Sequence, residues 1–224
     1  MTISQQRLPR FQAYAIPRFG CAIVIITNVS TSTNVWTPAS VATVFLDRDG
    51  VINEKMPEGK YVSSEEDFRI LAGVPEAIAK LNRAGIRVLV VSNQRGVALG
   101  VLTLEFVESI HAVLQEQIME HGAHVDAFYY CPHDKQSCSC RKPSPGLFHQ
   151  AVKDFPEITP ESSVMIGDSL SDIEFGHRIG MRTIWIQGSS NHRKPRWEEA
   201  AKLADQRCSS LPEAVEALLH SRFG

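Results

Sequence analysis

The stretch VATVFLDRDGVIN, residues 41–53, decides how this chain folds. Residues 41–46 form a short apolar run that ends abruptly in Asp47, Arg48 and Asp49. A run of this length without polar alternation reads as a strand covered on both faces, which is the mark of a parallel sheet. Four further runs repeat the pattern: IRVLVVS at 86–92, VDAFYYC at 125–131, SVMIGD at 163–168 and MRTIWIQ at 181–187. Helix-length segments lie between them. Residues 74–85 have apolar side chains at helical spacing, with Pro75 near the start and Gly85 at the end. Residues 103–122 open on Thr103 as a cap and stop at Gly122, and residues 144–155, 169–180 and 210–219 complete the helical set. Strands alternating with helices predict right-handed βαβ units, hence an α/β fold with a doubly wound parallel sheet.

The chain has 224 residues, 43% of them apolar and 21% charged, which suits one globular domain. A formal net charge of −2 offers no basic surface to nucleic acid. The longest apolar run, CAIVII at 21–26, is far short of the roughly 20 residues of a membrane span. The expected partner is therefore a small molecule, with neither nucleic acid nor membrane involved, and the expected state is a monomer. Residues 1–40 differ from the rest: they have no Asp or Glu, three Arg and many Ser and Thr. They read as an N-terminal extension, disordered or preceding the true start, with the folded domain at 41–224. Three of the five cysteines are clustered, which points to a metal in a reducing, cytoplasmic compartment.

In an open parallel sheet, ligands bind outside the carboxyl ends of the strands. Those ends carry Asp47, Arg48, Asp49 and Gly50; then Ser92, Asn93 and Gln94; then a cysteine loop closing on Arg141 and Lys142; then Asp168 and Asp172. Taken singly, each Asp reads better as the cap of the helix that follows. Together the carboxylates repel one another unless a cation lies between them, and oxygen ligands favour Mg²⁺. A carboxylate beside Mg²⁺ and a lysine describes a phosphoryl-transfer site.

The cysteine loop, YYCPHDKQSCSCRKPSPG at 129–146, supplies Cys131, His133, Cys138 and Cys140. Three thiolates and one imidazole have the ligand count of a closed, structural zinc site. A redox pair of Cys138 with Cys140 is the competing reading. Bound zinc would fix the height at which Arg141 and Lys142 stand over the crevice.

FLDRDGVIN, VVSNQ, CRKP and MIGDSLSD resemble, in order and spacing, the four motifs of the haloacid-dehalogenase-like phosphatases. The resemblance implies a HAD-like Rossmannoid fold and an aspartyl-phosphate intermediate. It makes Asp47 the nucleophile, and Asp49 the acid and then the base. Ser92 hydrogen-bonds the phosphoryl group, and Lys142 stabilises its charge. Mg²⁺ falls to Asp47, the main-chain carbonyl of Asp49, and Asp168, with Asp172 supporting it from behind. The zinc loop resembles the branch that contains the heptose-bisphosphate phosphatases and the histidinol phosphatases. This implies removal of the 7-phosphate of D-glycero-D-manno-heptose 1,7-bisphosphate, with histidinol phosphate as the alternative substrate and a non-catalytic zinc module as the alternative of another class.

Within that resemblance, Asn93, Gln94, Arg95 and Arg141 are expected to bind substrate, Arg141 through a second, unreacting anion. Two departures stand out. Ser169 replaces a lysine often found after the fourth-motif Asp, and Arg95 replaces a small residue. Arg95 then either supplies the missing cation or alters specificity. The interval from Asp47 to Ser92 leaves no room for a large cap domain. Residues 53–68 become a flap, with Glu58, Gly59, Lys60 and Tyr61 as further candidate substrate contacts.

Overall fold

The computed structural model describes residues 23–25, 41–188 and 194–220. Among these residues one sheet has seven strands: β1 (Ile23–Ile25), β2 (Thr43–Leu46), β3 (Arg87–Asn93), β4 (Ala127–Cys131), β5 (Ser163–Gly167), β6 (Arg182–Ile186) and β7 (Gln206–Cys208). Their spatial order is β1-β4-β3-β2-β5-β6-β7. All pairings from β4 to β7 are parallel, and β1 joins the β4 edge antiparallel.

The helices are α1 (Val74–Arg83), α2 (Leu104–Met119), α3 (Gly146–Asp154), α4 (Leu170–Ile179), α5 (Trp197–Leu203) and α6 (Leu211–His220). The continuous apolar runs are explained by burial on both faces. Val44, Leu46, Val88, Val90, Val164 and Ile166 pack with α1, α2 and α6 on one face. Their neighbours Phe45, Leu89, Val91 and Met165 pack with α3 and α4 on the other. Side chains alternate across a strand, so a strand between two helical layers must be apolar at every position.

Three elements lie outside the expected set. The strand Ile23–Ile25 falls inside the segment read as an extension and pairs Ile23 with Tyr129. The remainder of 1–40 lies outside the described residues, as does Cys21. The helix Trp197–Leu203 and the strand Gln206–Cys208 extend the far edge. Among the described residues no helix is long and apolar enough to cross a membrane.

The winding direction locates the site. From β2 the chain steps to β3 and β4 on one side, then returns to lay β5 on the other side of β2. A crevice opens between strands at such a reversal. Leu46 lies opposite Ile166, so Asp47 and Asp168 leave neighbouring strands at the mouth of that crevice.

Candidate active site and metal centre

Asp47 is 4% exposed, Asp168 8% and Asp172 1%. One ligand oxygen from each lies within 4.8 Å of the others. Gly50 permits this closeness. Its φ is +97°, and a Cβ there would lie 2.5 Å from Asp168 Oδ2, so the turn after Asp47 presses its backbone against Asp168. Trp185 Nε1 donates to the Asp168 carbonyl at 3.0 Å and fixes it from the other side.

Lys142 reaches this group from the cysteine loop. Its Nζ donates to Asp47 Oδ1 at 3.0 Å and to the Val91 carbonyl at 2.6 Å, and it lies 2.6 Å from Asp172 Oδ1. Its main chain is clamped by Asn93, whose Oδ1 accepts from Lys142 N and whose Nδ2 donates to Lys142 O. Burial opposes the ammonium charge, but Asp172 and Asp47 raise the pKa above its ordinary value. Burial alone would likewise raise the Asp47 carboxyl; Lys142 and Lys194 instead hold it well below the usual carboxylate range. Asp168 goes the other way, because burial pushes its carboxyl up and Lys194 offsets this only in part.

Asp49 is set apart from that group. Arg48 Nη2 donates to both of its oxygens at 3.0 Å, and Asn53 Nδ2 and Gln94 Nε2 donate at 3.0 and 3.1 Å. Gln94 Nε2 also donates to Ser92 Oγ at 2.7 Å. Thus Asn93 and Gln94, expected to bind substrate, line the cavity but have polar atoms engaged in orienting Lys142, Asp49 and Ser92.

Arg95 lines the same cavity, as expected of a substrate contact, and is also tied to a carboxylate. Its Nε donates to Asp134 Oδ1 at 2.5 Å, tying the end of β3 to the cysteine loop. It does not supply the cation beside Asp168. Two lysines from distant loops do: Lys55 Nζ lies 3.2 Å from Asp168 Oδ2, and Lys194 Nζ lies 2.6 Å from Asp168 Oδ1 and 3.4 Å from Asp47 Oδ2.

A cavity of about 990 Å³ opens over these groups. The flap contributes Glu58, Gly59, Lys60 and Tyr61 to its wall, in keeping with their expected position. Arg141 lines it too, and its Nη1 is buried with no hydrogen-bond partner among the described residues. A buried guanidinium nitrogen without a partner marks a place for an anion.

Both metal candidates pass a chemical test. Asp168 Oδ1 and Asp172 Oδ1 are buried, and each faces a cationic ammonium at 2.6 Å, Lys194 Nζ and Lys142 Nζ respectively. Carboxylate oxygens in that state suit a hard divalent cation. In the cysteine loop, Cys131 Sγ lies 3.4 Å from Cys138 Sγ and 3.6 Å from His133 Nδ1. Cys140 Sγ lies 3.2 Å from His133 Nδ1 and 3.4 Å from Cys138 Sγ. A tetrahedral ion with Zn–S and Zn–N bonds of ordinary length has edges of about 3.6–3.8 Å, whereas a disulfide would bring two sulfurs to about 2.05 Å. These spacings fit a tetrahedral metal cage, slightly contracted, better than a bonded sulfur pair. Its position is fixed by Gly146, where a Cβ would lie 2.5 Å from the Ser139 carbonyl.

Sequence reading missed Arg48, Asn53, Lys55 and Lys194. Arg48 and Asn53 flank Asp49 in the opening stretch, so proximity was a usable signal. Lys55 and Lys194 sit in polar loops and carry none.

Comparison with known proteins agrees with this geometry. The HAD-hydrolase-like family profile matches residues 139–214. The D-glycero-alpha-D-manno-heptose-1,7-bisphosphate 7-phosphatase of Mycobacterium bovis is 37% identical over 185 residues, 80% of this chain and 92% of the relative. The D-glycero-beta-D-manno-heptose-1,7-bisphosphate 7-phosphatase of Vibrio cholerae is 36% identical over 79% of this chain and 95% of the relative. The solved D,D-heptose 1,7-bisphosphate phosphatase of B. bronchiseptica, complexed with magnesium and phosphate, superposes with a TM-score of 0.70 at 27% identity. It covers 80% of this chain and 98% of its own.

Proposed function

The chain belongs to the haloacid-dehalogenase-like hydrolases and is a phosphatase, and from that premise we propose that it removes the 7-phosphate of D-glycero-D-manno-heptose 1,7-bisphosphate through an aspartyl-phosphate on Asp47. In the first step an Asp47 oxygen attacks phosphorus, the bond to the sugar oxygen breaks, and Asp49 gives that oxygen a proton. In the second, Asp49 takes a proton from water as the water attacks phosphorus, which releases inorganic phosphate and restores Asp47. Lys142 offsets the charge that builds on the phosphoryl oxygens. Ser92 Oγ, oriented by Gln94, is the hydroxyl donor to the same group.

Asp47, Asp168 and the Asp49 carbonyl would hold Mg²⁺, which supplies Lewis-acid neutralisation of the phosphoryl group. Cys131, His133, Cys138 and Cys140 would hold structural zinc, and thiols of this kind suit a reducing compartment such as the cytoplasm.

The observation that carries the bisphosphate reading is Arg141. Its Nη1 is buried and unpartnered in the wall of the same cavity as Lys142 and Asp49. A second phosphate would give Nη1 the acceptor it lacks among the described residues. The test is turnover under Mg²⁺ of heptose 1,7-bisphosphate, as each anomer, against histidinol phosphate. A kcat/KM at least about tenfold in favour of the heptose ester is expected, the least that one charge-assisted contact supplies. Preference for histidinol phosphate refutes the reading.

A further inference from the structure

Asp47, Asp168 and Asp172 are met by three ammonium groups, and these differ in how firmly they are held. Lys142 is fixed: its side chain is 1% exposed, its Nζ donates to the Val91 carbonyl, and Asn93 clamps its main chain. Lys194 is less enclosed. Its side chain is 30% exposed, and its Nζ stands between Asp168 Oδ1 and Asp47 Oδ2 on the cavity side. These contacts of its ammonium are to carboxylates. It forms an ion pair with Asp168 Oδ1 at 2.6 Å and donates to Asp47 Oδ2 at 3.4 Å, with no main-chain carbonyl among these partners. Lys194 therefore stands on the two carboxylates to which the proposed function assigns the divalent metal. A monovalent and a divalent cation repel, so both cannot share that pair of carboxylates closely.

Resting on that reading, we propose that Lys194 is an exchangeable counter-ion. It neutralises Asp47 and Asp168 while the metal is away, yields them to the metal, and then donates to a phosphoryl oxygen of the bound substrate. Three features support this. Its flexible four-carbon stem ends in donors that reorient freely. Its backbone segment, Lys194 to Arg196, lines the same cavity and keeps the ammonium beside the reacting group. It faces Asp47 Oδ2 while Lys142 faces Oδ1, so the two lysines approach the nucleophile by different oxygens. Lys194 is in this view a substrate-phosphate ligand supplied by the loop after β6, and also a brake on metal binding.

The two roles have opposite signs, which makes the test decisive. Wild type and Lys194→Met are dialysed free of Mg²⁺ with the cysteine-loop metal retained, and titrated calorimetrically with Mg²⁺ and then, at saturating Mg²⁺, with inorganic phosphate. Loss of the competing charge is expected to tighten Mg²⁺ about three- to tenfold, the effect of one partly exposed charge at close range. Loss of the donor is expected to weaken phosphate about tenfold. Lys194→Gln serves if the Met variant folds poorly by circular dichroism. Unchanged or weaker Mg²⁺ affinity overturns the exchange, and unchanged phosphate affinity overturns the transfer to substrate. If wild type takes up no Mg²⁺, the metal assignment to Asp47 and Asp168 falls first and the exchange falls with it.

Discussion

Asp172 holds Lys142: Oδ1 and Nζ lie 2.6 Å apart, and each side chain is 1% exposed. The other oxygen, Oδ2, accepts from Ser169 N at 3.0 Å and Ser169 Oγ at 2.6 Å, at the start of α4. One carboxylate thus joins a helix start to the lysine that faces Asp47. In the proposed mechanism, any support it gives the metal site would run through Lys142. Asp172→Asn is expected to cost about 3–5 kcal/mol of stability, because it removes one of two carboxylates from a buried ammonium. It is also expected to lower kcat roughly tenfold or more as Lys142 loses its position. Urea denaturation and steady-state kinetics check both, and undiminished stability would show that Lys142 is held adequately by Asp47 alone.

Asp47→Asn is expected to abolish turnover while leaving the fold intact. The amide is nearly isosteric but a poor nucleophile and a weaker metal ligand. Loss of a covalent nucleophile costs several orders of magnitude in kcat. Circular dichroism verifies the fold. Retention of more than about a tenth of activity excludes Asp47 as the nucleophile.

The cysteine loop should carry about one zinc per chain, as its four ligands imply. Cys138→Ser is expected to lower the Tm and the activity together, since loop order and the placing of Lys142 are coupled. Acid should release the metal. Hydrogen bonding from Cys140, aided by His133 and Cys138, pulls the Cys131 thiol from its ordinary 9.0 down to about 5. Metal binding requires the thiolate and holds it against protonation, so the ion is retained at neutral pH and lost on acidification, at a pH below the value of the metal-free thiol. Metal analysis after dialysis at graded pH reads this directly. Full activity without zinc would leave the loop with no structural role.

Arg141 and Arg95 are expected to behave differently. Arg141→Ala should raise KM for heptose 1,7-bisphosphate much more than for a monophosphate ester, with kcat less affected, because a second phosphate is held alike in ground and transition states. Arg95→Ala should match Asp134→Ala, and the double variant should be no worse than either. Their ion pair has side chains 32% and 47% exposed, so a coupling of only about 0.2–1 kcal/mol is expected. A KM increase confined to Arg95→Ala would show that Arg95, which lines the cavity, binds substrate directly.

What was legible in the sequence was whatever repeats within a few residues. The strands Thr43–Leu46 and Arg87–Asn93 announced themselves because burial on both faces demands an unbroken apolar run. Their carboxyl ends named Asp47, Ser92 and Asp168, since a parallel sheet puts ligand groups there. Cys131 to Cys140 could be read as a cage because one short loop supplies all four ligands. The strand Gln206–Cys208 offered no such signal: only Cys208 of its three residues is buried, so it lacks an apolar run.

The tertiary structure alone decided which polar atoms meet. Asn93, Gln94 and Arg95 follow one another in the chain, yet they face Lys142, Asp49 and Asp134 respectively. Lys55 and Lys194 come to Asp168 from the segments that follow β2 and β6. A lysine's partner is set by where two distant backbones converge, and a flexible charged side chain in a polar loop leaves no periodicity by which to foresee it. The apolar pattern determines the sheet because burial acts on every residue of a strand. The identity of the cations around Asp47 is determined by long-range Coulomb attraction between groups that become neighbours only once the sheet has formed.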